Sequence, residues 1–217
     1  MKFFIDTANV KEIESALSMG LINGVTTNPS IIAREGKEFI ATMKEISALI
    51  GPENYLFGEV IALKADEMVK EGRELVKLHK NFVVKIPMCA EGLKAVKQLS
   101  AAGIPTCVTL CFSVPQALLA ANAGAAYVAP FIGRIDDIGW NGTQLISEIK
   151  EVFDAHGIAT KIVAASTRHP VHIVDIAMLG THIATVPFKT LLQLIEHPLS
   201  KSGLEKFLQD WESVPKK

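Results

Sequence analysis

A lysine within an apolar, strand-like run is the residue of this sequence best suited to covalent chemistry. Lys85 interrupts the run Phe82 to Pro87, which reads FVVKIP, at a position whose side chain we expect to face an interior. Lysine is rarely buried without a reason. Burial favours the neutral amine, and only a neutral amine attacks a carbonyl to form a Schiff base. The alternative is a solvated lysine at a strand end.

Two carboxylates and a hydroxyl on other strand-like runs could move protons for such a reaction. Asp6 follows the apolar run FFI, Glu59 follows YLFG, and Thr109 lies within the run CVTL. Schiff-base chemistry needs a proton shuttle, and Thr109 could hold a water between a carboxylate and the imine. The alternatives are a helix cap or turn role for Asp6 and an isolated strand-end charge for Glu59.

Two arginines and a serine could hold a phosphate. Arg134 follows one strand-like run, and Ser166 and Arg168 follow the next. Guanidinium groups match the geometry of phosphate oxygens, and a hydroxyl adds a further donor. The alternative is that both arginines form surface salt bridges, for instance with Asp136 or Asp137.

Short β-branched or aromatic runs alternate along the chain with longer segments of helical period. This alternation is typical of βα units around a parallel sheet. We predict eight strands, at 2–6, 24–27, 55–60, 82–86, 105–110, 127–131, 161–165 and 182–186. The 217 residues allow about 27 per unit, close to the minimum for a strand and its crossover helix. The predicted fold class is α/β, a (β/α)8 TIM barrel with an extra C-terminal helix.

Such a barrel places its active site at the C-terminal ends of the strands. Polar residues follow seven of the eight predicted strands there, and Thr26, Asn28 and Phe131 lie at this end with the residues named above. We expect one domain, 1–217, with 200–217 as a C-terminal helix and tail. That helix has an apolar stripe that must pack on its own barrel or on a neighbouring subunit.

Charge and cysteine content exclude several classes of protein. The chain has 22 basic and 23 acidic side chains, which does not favour a nucleic-acid binder. No segment is typical of a signal peptide or a membrane span, and three cysteines are too few for a disulfide framework, so we expect a cytoplasmic protein. His169 and His172 lack the spacing of a zinc site, and no metal site is predicted.

Five motifs in this order resemble those of the small transaldolase family, which includes short transaldolases and fructose-6-phosphate aldolase. They read FIDTA from Phe4, GVTTNPS from Gly24, VKIP from Val84, APFIGR from Ala129 and AASTR from Ala164. The resemblance covers nearly the whole chain. It implies a barrel that forms a Schiff base with a ketose phosphate and needs no metal or organic cofactor.

The resemblance also implies a role for each matching position. Lys85 would form the Schiff base, Asp6 would transfer a proton at a substrate hydroxyl, and Glu59 and Thr109 would hold and activate a water. Asn28, two residues after Thr26, would bind the donor's hydroxyl groups. The phosphate would be held by Arg134, Ser166 and Arg168. Family members often form pentamers or decamers, so a homo-oligomer is expected.

Three positions favour transaldolase over aldolase activity. The fructose-6-phosphate aldolases of the family look to have Gln, Tyr and Lys where this chain has Glu59, Phe131 and Arg168. We therefore expect transfer of dihydroxyacetone between a ketose phosphate and an aldose phosphate, with cleavage of fructose 6-phosphate as the alternative. Cys107 and Ala129 depart from the Asn and Ser of many transaldolases, which affects donor binding.

Two alternatives lie outside Schiff-base chemistry. One is a metal-dependent aldolase or isomerase, which needs a cluster of His and carboxylate ligands at the rim. The other is a non-catalytic sugar-phosphate-binding barrel, which would have no use for an inward lysine.

Overall fold

The computed structural model describes residues 1–215 and contains a closed barrel of eight parallel strands. Each strand pairs with the next, and the last pairs with the first. The strands are β1 (Lys2–Asp6), β2 (Gly24–Thr26), β3 (Tyr55–Glu59), β4 (Phe82–Pro87), β5 (Thr106–Cys111), β6 (Tyr127–Pro130), β7 (Lys161–Ala164) and β8 (Ile183–Val186). The predicted fold class is confirmed, and every predicted strand bound lies within one residue of the observed one.

Helices surround the barrel, and two of the crossovers contain two helices rather than one. The helices are α1 (Val10–Ser18), α2 (Pro29–Glu35), α3 (Phe39–Ile50), α4 (Ala65–Leu75), α5 (Ala90–Ala101), α6 (Val114–Asn122), α7 (Ile132–Asp136), α8 (Gly142–Ala155), α9 (Pro170–Met178), α10 (Phe188–Ile195) and α11 (Pro198–Glu212). The short α2 and α7 begin directly after β2 and β6, so both lie at the rim where the predicted site residues are.

Alternation along the strands separates two apolar clusters. Ile5 and its equivalents face the helices, whereas Phe4, Phe57 and Tyr127 fill the barrel interior. The rings of Phe4 and Phe57 meet edge to face at 5.3 Å, and those of Phe57 and Tyr127 at 5.1 Å. Large aromatic residues therefore fill the interior on the N-terminal side and leave its C-terminal side for polar groups.

β5 contains one extra residue relative to β6. Val108 pairs with Val128, but Cys111 pairs with Pro130, so two residues of β5 oppose one of β6. Leu110, within this bulge, has a φ of 59°. A bulge changes the face to which later side chains point. Thr109 lines the interior, as regular alternation from Cys107 requires, whereas the bulge turns Cys111 into the cluster between the barrel and its helices.

α11 contains no buried residue. Leu204, Phe207, Leu208 and Trp211 are all more than half exposed, so the apolar stripe does not pack on the barrel of its own chain. The helix begins at Pro198, two residues before the predicted start at 200. The end of the predicted tail, 216–217, lies outside the described residues.

Candidate active site

A cavity of about 340 Å³ opens at the C-terminal end of the barrel. Nine of the ten predicted site residues line it: Asp6, Thr26, Asn28, Lys85, Thr109, Phe131, Arg134, Ser166 and Arg168. The tenth, Glu59, does not line the cavity, but its Oε2 lies 3.4 Å from Nζ of Lys85.

Lys85 is buried in the barrel, with 5% of its surface exposed. Its Nζ donates a hydrogen bond to the carbonyl oxygen of Thr27 at 2.9 Å and lies 3.4 Å from Oε2 of Glu59. Glu59 is held there because it is the register partner of Lys85 between β3 and β4. A solvated lysine at a strand end is therefore excluded, and the amine has a carboxylate beside it that can accept its proton.

Asp6 ends β1 and belongs to a hydrogen-bonded chain of three side chains. Its Oδ1 accepts a bond of 2.7 Å from Thr26 Oγ1, which lies 2.5 Å from Thr185 Oγ1. Burial raises the pKa of Asp6 above the ordinary 3.8, although Lys85 and the Thr26 bond oppose that shift. The helix-cap alternative for Asp6 does not hold, because Asn9 caps α1, and the carboxylate of Asp6 binds Thr26 instead of forming a turn.

Thr109 and Asn28 offer unused polar groups to the cavity. Thr109 is fully buried, and its Oγ1 has no hydrogen-bond partner among the described residues. Asn28 caps α2 by accepting from Ile31 N at 2.9 Å, which fixes the side chain through its Oδ1. A bound water or a sugar hydroxyl would satisfy such groups.

Cys107, beside Lys85 on the neighbouring strand, is not a nucleophile. It is fully buried, and burial raises the pKa of its thiol to about 12. The thiol therefore stays protonated at neutral pH, when only a thiolate reacts. Cys107 packs in the apolar cluster of the barrel interior.

Arg134, Ser166 and Arg168 gather on one side of the cavity, after β6 and β7. Arg168 makes a bidentate ion pair with Asp137, so the salt-bridge alternative holds for this arginine. Arg134 forms no ion pair among residues 1–215, and its guanidinium lies 4.8 Å from the centre of the Phe131 ring. Of the two arginines expected to hold a phosphate, Arg168 is therefore paired with a carboxylate, and Arg134 is unpaired among the described residues.

The family model described as "Transaldolase/Fructose-6-phosphate aldolase" matches residues 3–217. The chain belongs to this family. A protein of Clostridium kluyveri named "Probable transaldolase" is 60% identical over 100% of both chains. "Probable transaldolase 1" of Listeria monocytogenes and a "Probable transaldolase" of Heliobacterium modesticaldum are each 56% identical, again over the full length of both chains.

A solved structure described as a lactate oxidase of Pediococcus acidilactici shares the barrel. The TM-score is 0.61 at 14% identity, and the match covers 87% of this chain and 63% of the oxidase. At that identity the likeness concerns the fold alone. The chain is an enzyme of the transaldolase/fructose-6-phosphate aldolase family, and it shares only its architecture with the oxidase.

Two residues of this family member near the site were not predicted from the sequence. Arg34 of α2 lines the cavity and acts on the charge of Asp6. His172 is buried, accepts a bond from Arg168 N at 3.3 Å through Nδ1 and contacts Asp136 at 2.8 Å through Nε2. Arg34 has no strand-end position, and His172 lies 36 residues from Asp136 in the sequence, so no local pattern indicates either the position of Arg34 or the contact of His172 with Asp136.

Two searches of the described residues were negative. Among residues 1–215, no group of three or more His, Cys, Asp or Glu is placed to hold a metal ion. Within the same range no helix combines the length and apolarity that crossing a bilayer requires.

Proposed function

We propose that this protein is a transaldolase that moves a dihydroxyacetone unit from a ketose phosphate to an aldose phosphate through a Schiff base on Lys85. The observation that carries the proposal is a buried lysine amine, 3.4 Å from a carboxylate, in a cavity that also holds two arginines. Family membership and full-length relatives named as transaldolases support the same activity.

The first half of the reaction forms the imine. Glu59 accepts a proton from the Lys85 ammonium, the neutral amine attacks the ketose carbonyl, and the resulting carbinolamine loses its hydroxyl as water. Glu59 returns the proton through a water held at the unpartnered hydroxyl of Thr109. Proton transfer through one bound water is a common solution where direct contact is too long.

The second half breaks and remakes a carbon–carbon bond. Asp6 removes the proton from the hydroxyl on the far side of that bond, the bond breaks, and its electrons move into the imine to give an enamine. The aldose phosphate product leaves, and a second aldose phosphate enters. The enamine attacks its aldehyde, Asp6 returns the proton to the new hydroxyl, and hydrolysis frees Lys85.

The remaining residues orient the substrate. Asn28 and Thr26 lie near Lys85 and bind hydroxyls of the three-carbon unit, while Arg134, Ser166 and Arg168 hold the phosphate at the other side. A sugar phosphate offers both groups that these residues bind, hydroxyls and a phosphate. Holding both ends supplies the orientation on which such a reaction depends.

Borohydride reduction tests the imine. Incubation with fructose 6-phosphate and borohydride, followed by peptide mass spectrometry, is expected to give a dihydroxyacetone-derived adduct on Lys85. Lys85→Met is the matched control and should give no adduct. An unmodified Lys85 under conditions of full turnover would overturn the proposal.

The second candidate activity is cleavage of fructose 6-phosphate to free dihydroxyacetone. Phe131 argues against it, because its ring, packed on Phe112 at 5.8 Å, brings no hydroxyl to the cavity to handle water. We expect turnover to depend on an added acceptor such as erythrose 4-phosphate, and Phe131→Tyr to raise release of free dihydroxyacetone. Efficient cleavage without acceptor by the unaltered protein would favour the aldolase.

We also propose that the protein is a cytoplasmic homo-oligomer, a pentamer or decamer, assembled through α11. Support comes from the exposed apolar stripe of that helix and from three free cysteines. Light scattering after size-exclusion chromatography measures the assembly. Phe207→Glu should reduce the mass toward that of one chain, and an unchanged mass would place the contact elsewhere.

A further inference from the structure

A second cavity lies at the opposite end of the barrel, where the strands begin. It has a volume of about 320 Å³ and is lined by the first residues of β1, β3, β6, β7 and β8 and by the segment before β8. Tyr127 lines it and packs on Phe57, which itself lines the active-site cavity. A layer of aromatic rings therefore separates the two cavities.

The second cavity carries positive charge without a matching carboxylate. Lys2 and Lys161 line it, and no Asp or Glu does. Neither lysine forms an ion pair within residues 1–215. The Lys2 ammonium lies 4.7 Å from the centre of the Tyr55 ring, which holds it at the cavity.

His182 supplies a neutral hydrogen-bond donor at the same place. Ile162 N donates to its Nδ1 at 3.2 Å, so the proton of the neutral ring is on Nε2. Burial, with help from Lys150 and Lys161, lowers the pKa of His182, and Asp154 opposes that shift. Asp154 is paired with Lys150, so it leaves Lys2 and Lys161 uncompensated.

Thr181 adds an unpaired hydroxyl. It lines the cavity, only 2% of its surface is exposed, and its Oγ1 has no hydrogen-bond partner among the described residues. A buried hydroxyl without a partner costs folding free energy unless something else satisfies it. Thr181 lines the same cavity as Lys2 and Lys161, so an anion held by those lysines would be in a position to accept the proton of this hydroxyl.

We propose that this cavity binds a small phosphate-bearing anion, separate from the substrate phosphate at the active site. A tetrahedral dianion uses what the cavity offers: two ammonium groups, the Nε2–H of His182 and the hydroxyl of Thr181. The proposal does not depend on the catalytic activity, because no residue of the second cavity takes part in it.

Lysine labelling tests the proposal directly. The assembled protein is acetylated with a limiting amount of an activated ester, in inorganic phosphate or in sodium chloride of equal ionic strength, and each lysine is quantified by mass spectrometry. Labelling of Lys2 and Lys161 is expected to slow about tenfold at a phosphate concentration ten times the Kd. Lys97, an exposed lysine of α5 without an ion pair, is the internal control and should not change.

Two variants separate this site from the active site. Lys161→Met should abolish the phosphate protection of Lys2, and Thr181→Val should weaken it, with transaldolase activity unchanged in both. Arg134→Gln should leave the protection intact while it impairs the enzyme. Equal labelling of Lys2 and Lys161 in phosphate and chloride would overturn the proposal, as would protection that disappears with Arg134→Gln.

Discussion

If Asp6 is the base proposed above, its pKa should set the acid side of the pH profile. Its pKa is raised by burial, and the proposed base must be ionised, so kcat/KM should fall as the pH falls through a value above 3.8. Thr26→Val removes a bond that lowers this pKa, so the acid limb should move to higher pH. Thr106→Val, which removes an unpartnered buried hydroxyl, is the control and should not move it. If the acid limb of the Thr26→Val profile coincided with that of the unaltered enzyme, this would contradict the assignment of Asp6 as the base.

Ser166 has a φ of 60°, a left-handed conformation that serine rarely adopts. Such a backbone costs about 1 kcal/mol for a residue with a side chain, and glycine avoids most of it. We therefore expect Ser166→Gly to be about 1 kcal/mol more stable than Ser166→Ala in urea unfolding. Both variants lose the hydroxyl, so both should raise KM for the sugar phosphate. Equal stabilities would mean that the strain is absent.

Most of the site could be predicted from residue types at strand ends. Lys85 stands out because a charge interrupts an apolar strand, and the arginines stand out because they follow neighbouring strands. The pairing of Arg168 with Asp137 was named from the sequence only as an alternative, and the placement of Arg34 was not predicted, because each depends on the orientation of a short helix at the rim. No sequence rule gives that angle.

α7 contacts the loop after β7 on the side of the cavity where we propose that the phosphate binds. A Cβ at Gly133 would lie 2.3 Å from Ser166 O and 2.6 Å from Arg168 Nε. Gly133→Ala must therefore displace the backbone of that loop, and we expect a loss of about 1–3 kcal/mol in stability together with a higher KM. Gly203→Ala in α11, where a Cβ meets nothing within 4 Å, is the matched control. A normal KM for Gly133→Ala would mean that the loop adapts.

The strands were predictable as elements, but the register of β5 was not. Period-two alternation reveals which residues face inward only while the strand is regular. The residue types of β5 are typical of a regular strand, so the sequence CVTLC contains no signal that predicts the bulge at Leu110. Regular alternation from Cys107 places Thr109 inward, as observed, but it would also have turned Cys111 inward.

The reactivity of the three cysteines can measure how fast the barrel opens. Cys89 is exposed, while Cys107 and Cys111 are buried, and burial raises their pKa values to about 12 and about 11. We expect a thiol reagent at pH 8 to modify one cysteine per native chain quickly and the other two only as fast as the barrel opens. Mass spectrometry of the time course identifies the sites. Simultaneous modification of all three in native buffer would contradict a closed barrel.

The hydrogen-bonded chain at Asp6 joins the two ends of the sequence. Thr26 and Thr185 are 159 residues apart, and they meet because β8 pairs with β1. A folding intermediate that lacks only this last pairing would keep Lys85 beside Glu59 and Asp6 beside Thr26, yet it would lack the contact between Thr26 and Thr185. Contacts of such long sequence separation form late, because the loop they close is large. We therefore expect the recovery of turnover during refolding to report when β8 pairs with β1 and closes the barrel. The recovery of the helical signal reports only the formation of the helices.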